Sequence, residues 1–105
     1  MNWPRLLIKL IRFFLPAKTK LAGVAVEIYS KPDCHLCDDA KAALVKMQRR
    51  FGFQLREVNI AADPALLAEY GTRIPLVWVD GHLVCKYYVD EAAVVKRLRL
   101  AAEEK

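Results

Sequence analysis

The dipeptide Asp80-Gly81 is the feature that most restricts this chain, because it separates two apolar runs, PLVWV (75–79) and HLVCKYYV (82–89). A two-residue hairpin of type I′ needs positive φ at both turn positions, which Asp-Gly readily adopts, so these runs are predicted to pair as antiparallel strands. Any fold proposed for the chain has to contain that hairpin.

Upstream of it the pattern alternates between strand and helix. VAVEIYS (24–30) is β-branched and mostly apolar, and it is followed by a run in which Cys37, Ala40, Leu44, Met47 and Phe51 share one helical face before Gly52 stops it. QLREVNI (54–60) alternates, with Leu55, Val58 and Ile60 apolar, and reads as a second strand. DPALLAEYG opens on Asp63 as an N-cap before Pro64 and closes at Gly71, giving a short second helix. After the hairpin, Asp90 caps a last helix whose period is set by Ala93 or Val94, Arg97 or Leu98, and Ala101. The order is β-α-β-α-β-β-α. A β-α-β crossover is right-handed and makes its strands parallel, so the expected fold is α/β, with a four-stranded mixed sheet and helices on both faces. At 105 residues, 55% apolar and 28% charged, the chain fits one globular domain rather than a disordered segment.

Charge divides the chain differently. Arg5, Lys9, Arg12, Lys18 and Lys20 fall in the first twenty residues with no acid among them, whereas the rest carries twelve basic and twelve acidic residues, so the whole surplus of +5 is N-terminal. Trp3, Leu6, Leu7, Leu10, Ile11 and Phe14 recur at helical spacing opposite Asn2, Arg5, Lys9 and Arg12. Residues 1–22 therefore read as a basic amphipathic helix and linker, and residues 23–105 as the folded domain. Between Pro4 and Pro16 the helix reaches roughly 18 Å. That falls short of a bilayer core of about 30 Å. Lys9 and Arg12 also interrupt any signal-peptide core. Residues 1–15 are left to pack on the domain, to self-associate, or to rest on an anionic membrane surface. Nucleic acid is not expected as a partner, because the basic residues are few and lack a reading motif.

The three cysteines, an odd number, cannot close a disulfide framework. A reducing, cytoplasmic setting suits them better than secretion, with membrane association left open by the N-terminal segment. Two of them, in SKPDCHLC (30–37), stand where the first strand meets the first helix. A thiol near its reference pKa of about 8.5 is only slightly ionised at neutral pH. Free N–H groups and the helix dipole at an N-terminus favour the thiolate, and Lys31 adds positive charge. Cys34, at the junction, is thus the attacking sulfur, and Cys37, one turn further in, the resolving one. Asp38 and Asp39 oppose ionisation. A zinc site is the competing chemistry; it would draw on Cys34, Cys37, Cys85, His35 and His82, without a second closely spaced pair.

YSKPDCHLC after a strand, then TRIPLVWVDG into a hairpin, resembles the glutaredoxin branch of the thioredoxin fold, in particular small bacterial glutaredoxin-like proteins with a C-H-L-C site. The resemblance covers residues 24 to 100. It implies that Cys34 and Cys37 are the active-site pair, that Lys31 is the basic residue ahead of it, and that Pro75 is a cis-proline whose neighbour Ile74 pairs through its backbone with an extended substrate. It also aligns Asp90 with an acidic residue of the glutathione site. Where glutaredoxins carry glycines that receive glutathione, this chain has Lys86, Tyr87 and Tyr88. Glutathione is left open as reductant, and no cofactor is required.

Arg73 is a candidate partner for an anionic substrate group. Cys85 reads as a core thiol, His82 as surface, and Trp78, Tyr87 and Tyr88 as strand positions. The reading is a thiol–disulfide oxidoreductase acting on disulfide-containing proteins or low-molecular-weight thiols. The alternative is a non-catalytic thioredoxin-like module using the cysteines as a redox sensor or metal clip.

Overall fold

The computed structural model describes residues 21–105; the amphipathic segment read over residues 1–20 lies outside them. Strand β1 (Ala25–Ser30) leads through a short turn into helix α1 (His35–Phe51), and β2 (Gln54–Asn59) follows. A 3-10 turn at Ile60–Ala62 joins β2 to helix α2 (Pro64–Tyr70), after which β3 (Leu76–Val79) and β4 (His82–Lys86) form the hairpin and α3 (Glu91–Glu104) ends the order. The strands lie side by side as β2-β1-β3-β4. β1 is parallel to β2 and antiparallel to β3, and β3 is antiparallel to β4, so the sheet is mixed as expected.

The punctuation residues act as their chemistry requires. Asp80 and Gly81 sit at φ 46 and 81, both positive, as a type I′ turn demands. Gly52 ends α1 at φ 82 with its N–H on the Gln48 carbonyl. The Asp63 carboxylate accepts the N–H groups of Ala65 and Leu66, and the Asp90 carboxylate that of Ala93, so each caps its helix.

The fourth strand is shorter than the sequence reading. It stops at Lys86; Tyr87 donates its N–H to the Pro75 carbonyl at 2.7 Å and takes φ 70, and Tyr88 turns back to bond Lys86 O at 2.9 Å. β3 begins only at Leu76, behind Pro75, which has no N–H to offer, so residues past Tyr87 have no rung to occupy.

Alternation along the strands sorts the side chains to two faces. Val26, Ile28, Val77 and Val79 meet Ala40, Leu44 and Met47 of α1 and Val94, Leu98 and Ala101 of α3 in a large buried cluster. Each such Val or Leu contributes roughly 1.5–3 kcal/mol when fully buried. On the opposite face Tyr29 and Trp78 meet Tyr70 of α2, with ring centroids 5.3 Å apart for Tyr29–Trp78 and 5.4 Å for Tyr29–Tyr70.

Candidate functional site

Pro32 and Asp33 make the turn between β1 and α1. Proline sets its own φ, and Asp33 takes φ 60, a left-handed value that Asp tolerates better than most side chains. The turn delivers Cys34 to the N-cap of α1, where its Sγ accepts the Cys37 N–H at 3.2 Å. An oxygen usually fills that place. With sulfur there instead, one N–H of the first turn points at the sulfur, a contact that favours a thiolate at such a place.

Cys34 and Cys37 form a disulfide, their Cα atoms 5.2 Å apart and within the ordinary range for one. Their surroundings differ. Cys34 is half-buried, whereas Cys37 is 2% exposed and packs with Ile60 and Ile74 in a small cluster bordered by Tyr29, Leu66 and Tyr70. Cys34 is the more exposed member of the pair.

The second loop of the site runs from Thr72 to Pro75. The Ile74–Pro75 bond is cis, and Pro75 is fully buried. Among the described residues the Ile74 N–H and carbonyl have no hydrogen-bond partner, although the residue as a whole is buried. Arg73 and Lys31 are both exposed. Asp90 is exposed as well, but one of its carboxylate oxygens is committed to the Ala93 N–H at 3.2 Å.

The remaining candidates do not join the pair. His35 and His82 are exposed, and Cys85, 6% exposed, belongs to the large cluster rather than the small one. Burial pushes the Cys85 thiol up, and the thiol donates to the Asp90 carbonyl at 3.9 Å. Among the described residues no three His, Cys, Asp or Glu side chains are grouped as metal ligands would be. Nor, among the described residues, is any helix long and apolar enough to cross a membrane.

One contact escaped the sequence reading. Tyr87, assigned there to a strand, instead leans back over the second loop and donates its phenol O–H to the Thr72 carbonyl at 3.2 Å. No local signal marks it, since left-handed positions are ordinarily recognised by Gly, Asn or Asp.

A C-x-x-C pair at the start of the first helix, on a mixed β2-β1-β3-β4 sheet, defines a protein of the thioredoxin fold. The family model described as "Glutaredoxin-like domain (DUF836)" matches residues 25–99, and the chain belongs to that family. An uncharacterized protein of Mycobacterium tuberculosis is 32% identical over 71 residues, which cover 63% of this chain and 73% of that one. Among solved structures, a protein of Xanthomonas campestris is 31% identical with a TM-score of 0.58, over 71% of this chain and 96% of its own. A protein of Nitrosomonas europaea is 25% identical with a TM-score of 0.63, over 70% and 89%. A mutant thioredoxin of Halobacterium salinarum, 18% identical with a TM-score of 0.55 over 84% and 82%, shares the fold.

Proposed function

We propose that the protein is a thiol–disulfide oxidoreductase that works by dithiol exchange on polypeptide or low-molecular-weight disulfides. The observation that carries this reading is the asymmetry of the Cys34–Cys37 pair: the outer sulfur accepts a helix N–H, and the inner one is sealed behind Ile60 and Ile74.

In the reduced protein the Cys34 thiolate attacks one sulfur of the substrate disulfide. A Cys34–substrate bond forms, and the other substrate sulfur leaves as thiolate. Cys37, held one helical turn away, gives up its proton and attacks Cys34. The second substrate sulfur leaves, and the Cys34–Cys37 disulfide remains. Two electrons pass from the dithiol to the substrate, whose two sulfurs end as thiols. An external dithiol, or two equivalents of a thiol such as glutathione, returns the pair to its starting state.

The backbone of Ile74, unpaired among the described residues, is where an extended substrate would hydrogen-bond while its sulfur meets Cys34. Lys31 and Arg73 are exposed and supply positive charge for an acidic substrate.

The test is turnover of a disulfide-linked peptide with excess dithiothreitol as reductant. Cys34→Ser is expected to reduce turnover to the uncatalysed background, and pre-reduced Cys37→Ser, mixed with the peptide disulfide after the dithiothreitol is removed, to halt at a mixed disulfide visible by mass spectrometry. Full turnover by Cys34→Ser would refute the mechanism.

A further inference from the structure

Tyr87 combines three features that packing of a strand end does not require. Its backbone sits at φ 70, where a side chain with a Cβ is disfavoured. Its main-chain N–H holds the Pro75 carbonyl at 2.7 Å, and its phenol reaches back to the Thr72 carbonyl at 3.2 Å. The residue therefore grips both ends of the Thr72–Pro75 segment. Tyr87 as a whole is 36% exposed, and the Lys86 ammonium lies 5.5 Å from its ring centroid. The segment it grips contains Ile74, whose own N–H and carbonyl are unpaired among the described residues.

We propose that Tyr87 is a positioning residue for polypeptide substrates: the clamp on Thr72 and Pro75 holds the Ile74 main chain in place for pairing with an extended chain beside Cys34. The inference rests on the exchange reading above and deepens it. A peptide disulfide that pairs with an ordered loop loses less conformational freedom on binding than one that must order the loop itself. A small disulfide without a peptide backbone has nothing to pair with Ile74. The clamp thus selects substrates by their backbone, leaving the reactivity of the sulfurs alone.

Two substrates and two variants separate this from a merely structural role. Tyr87→Phe removes only the phenol bond to Thr72. Tyr87→Gly removes the whole side chain but keeps a backbone that glycine adopts freely, so it retains the fold. With a disulfide-linked extended peptide, Tyr87→Phe is expected to raise KM by roughly two- to tenfold, the worth of one hydrogen bond, with kcat little altered. Tyr87→Gly is expected to raise it at least as much. With 2-hydroxyethyl disulfide, both variants are expected to match the parent, and the reduction potential of the Cys34–Cys37 pair is expected to stay where it was. An equal loss on both substrates, or no rise in KM for the peptide, overturns the proposal while leaving the exchange reading intact. Failure of the parent protein on both substrates, with Cys34→Ser indistinguishable from it, overturns the exchange reading and this inference together.

Discussion

The two apolar clusters of the molecule are built from different materials. The large one is aliphatic and closed: Val24, Val26, Ile28, Leu44, Val79 and Val94 are all 0% exposed. The small one has Cys37, Ile60 and Ile74 at its centre and a border of half-buried Tyr29, Cys34, Leu66 and Tyr70. Close packing of branched side chains gives the first a single arrangement and most of the stability. The second keeps Cys34 half-buried at its border and, among the described residues, leaves the Ile74 backbone without a hydrogen-bond partner. Stability and chemistry are thereby assigned to separate regions, linked by α1, which sends Leu44 into one and Cys37 into the other.

The division is most sharply tested by Leu44→Ala against Cys34→Ser. Truncating Leu44 is expected to cost about 2–5 kcal/mol, read as a fall in the urea midpoint, while the exchange rate per folded molecule survives. Cys34→Ser is expected to do the reverse, removing turnover and leaving the midpoint of the reduced protein nearly unchanged. If Leu44→Ala slowed exchange in the folded fraction, the clusters would be coupled rather than separate.

Asp90 caps α3 beside Cys85 of the large cluster, and Asp90→Ala sharpens the comparison there. Loss of its cap is expected to lower stability by about 1 kcal/mol with turnover unaltered. A drop in turnover out of proportion to that loss would make the carboxylate a substrate contact.

The smallest effect concerns Cys85. Burial raises its pKa, so the folded state holds the thiol proton more tightly than the unfolded chain does. The corresponding stability is complete below the unfolded thiol's pKa, about 8.5, and is lost as pH rises through the folded value. Urea midpoints measured between neutral and alkaline pH should fall more steeply for the parent than for Cys85→Ala. Iodoacetamide should label Cys34 of the reduced native protein quickly, and the buried Cys37 and Cys85 only on unfolding; rapid labelling of Cys85 would contradict its burial.

Much of this was legible in the chain because single residues carried single physical requirements. Asp80-Gly81 predicted the hairpin, Gly52 the end of α1, Asp63 and Asp90 their caps, and the spacing of Cys37, Ala40, Leu44 and Met47 the buried face. The placement of the cysteines at a strand-to-helix junction likewise needed only local pattern. The end of β4 did not yield to the same reasoning. KYYV has the composition of a strand, and what stops it is the partner running out at Pro75, a fact of pairing rather than of local preference. The grip of Tyr87 on Thr72 joins residues fifteen apart through a loop, beyond the reach of any periodicity.

The turn residue Asp80 has a consequence for the neighbouring strand. Its N–H and carboxylate both bond Ala25, at 2.8 and 2.9 Å, so the first residue of β1 is pinned where the strand enters the sheet. β1 is also flanked by a strand on each side. Its amide protons should therefore be among the last to exchange with deuterated solvent, opening only with global unfolding. Changes in exchange between oxidised and reduced protein should be confined to residues 31–37 and 72–75. Under the proposed exchange, the pair would change redox form while the entry of β1 into the sheet stayed fixed.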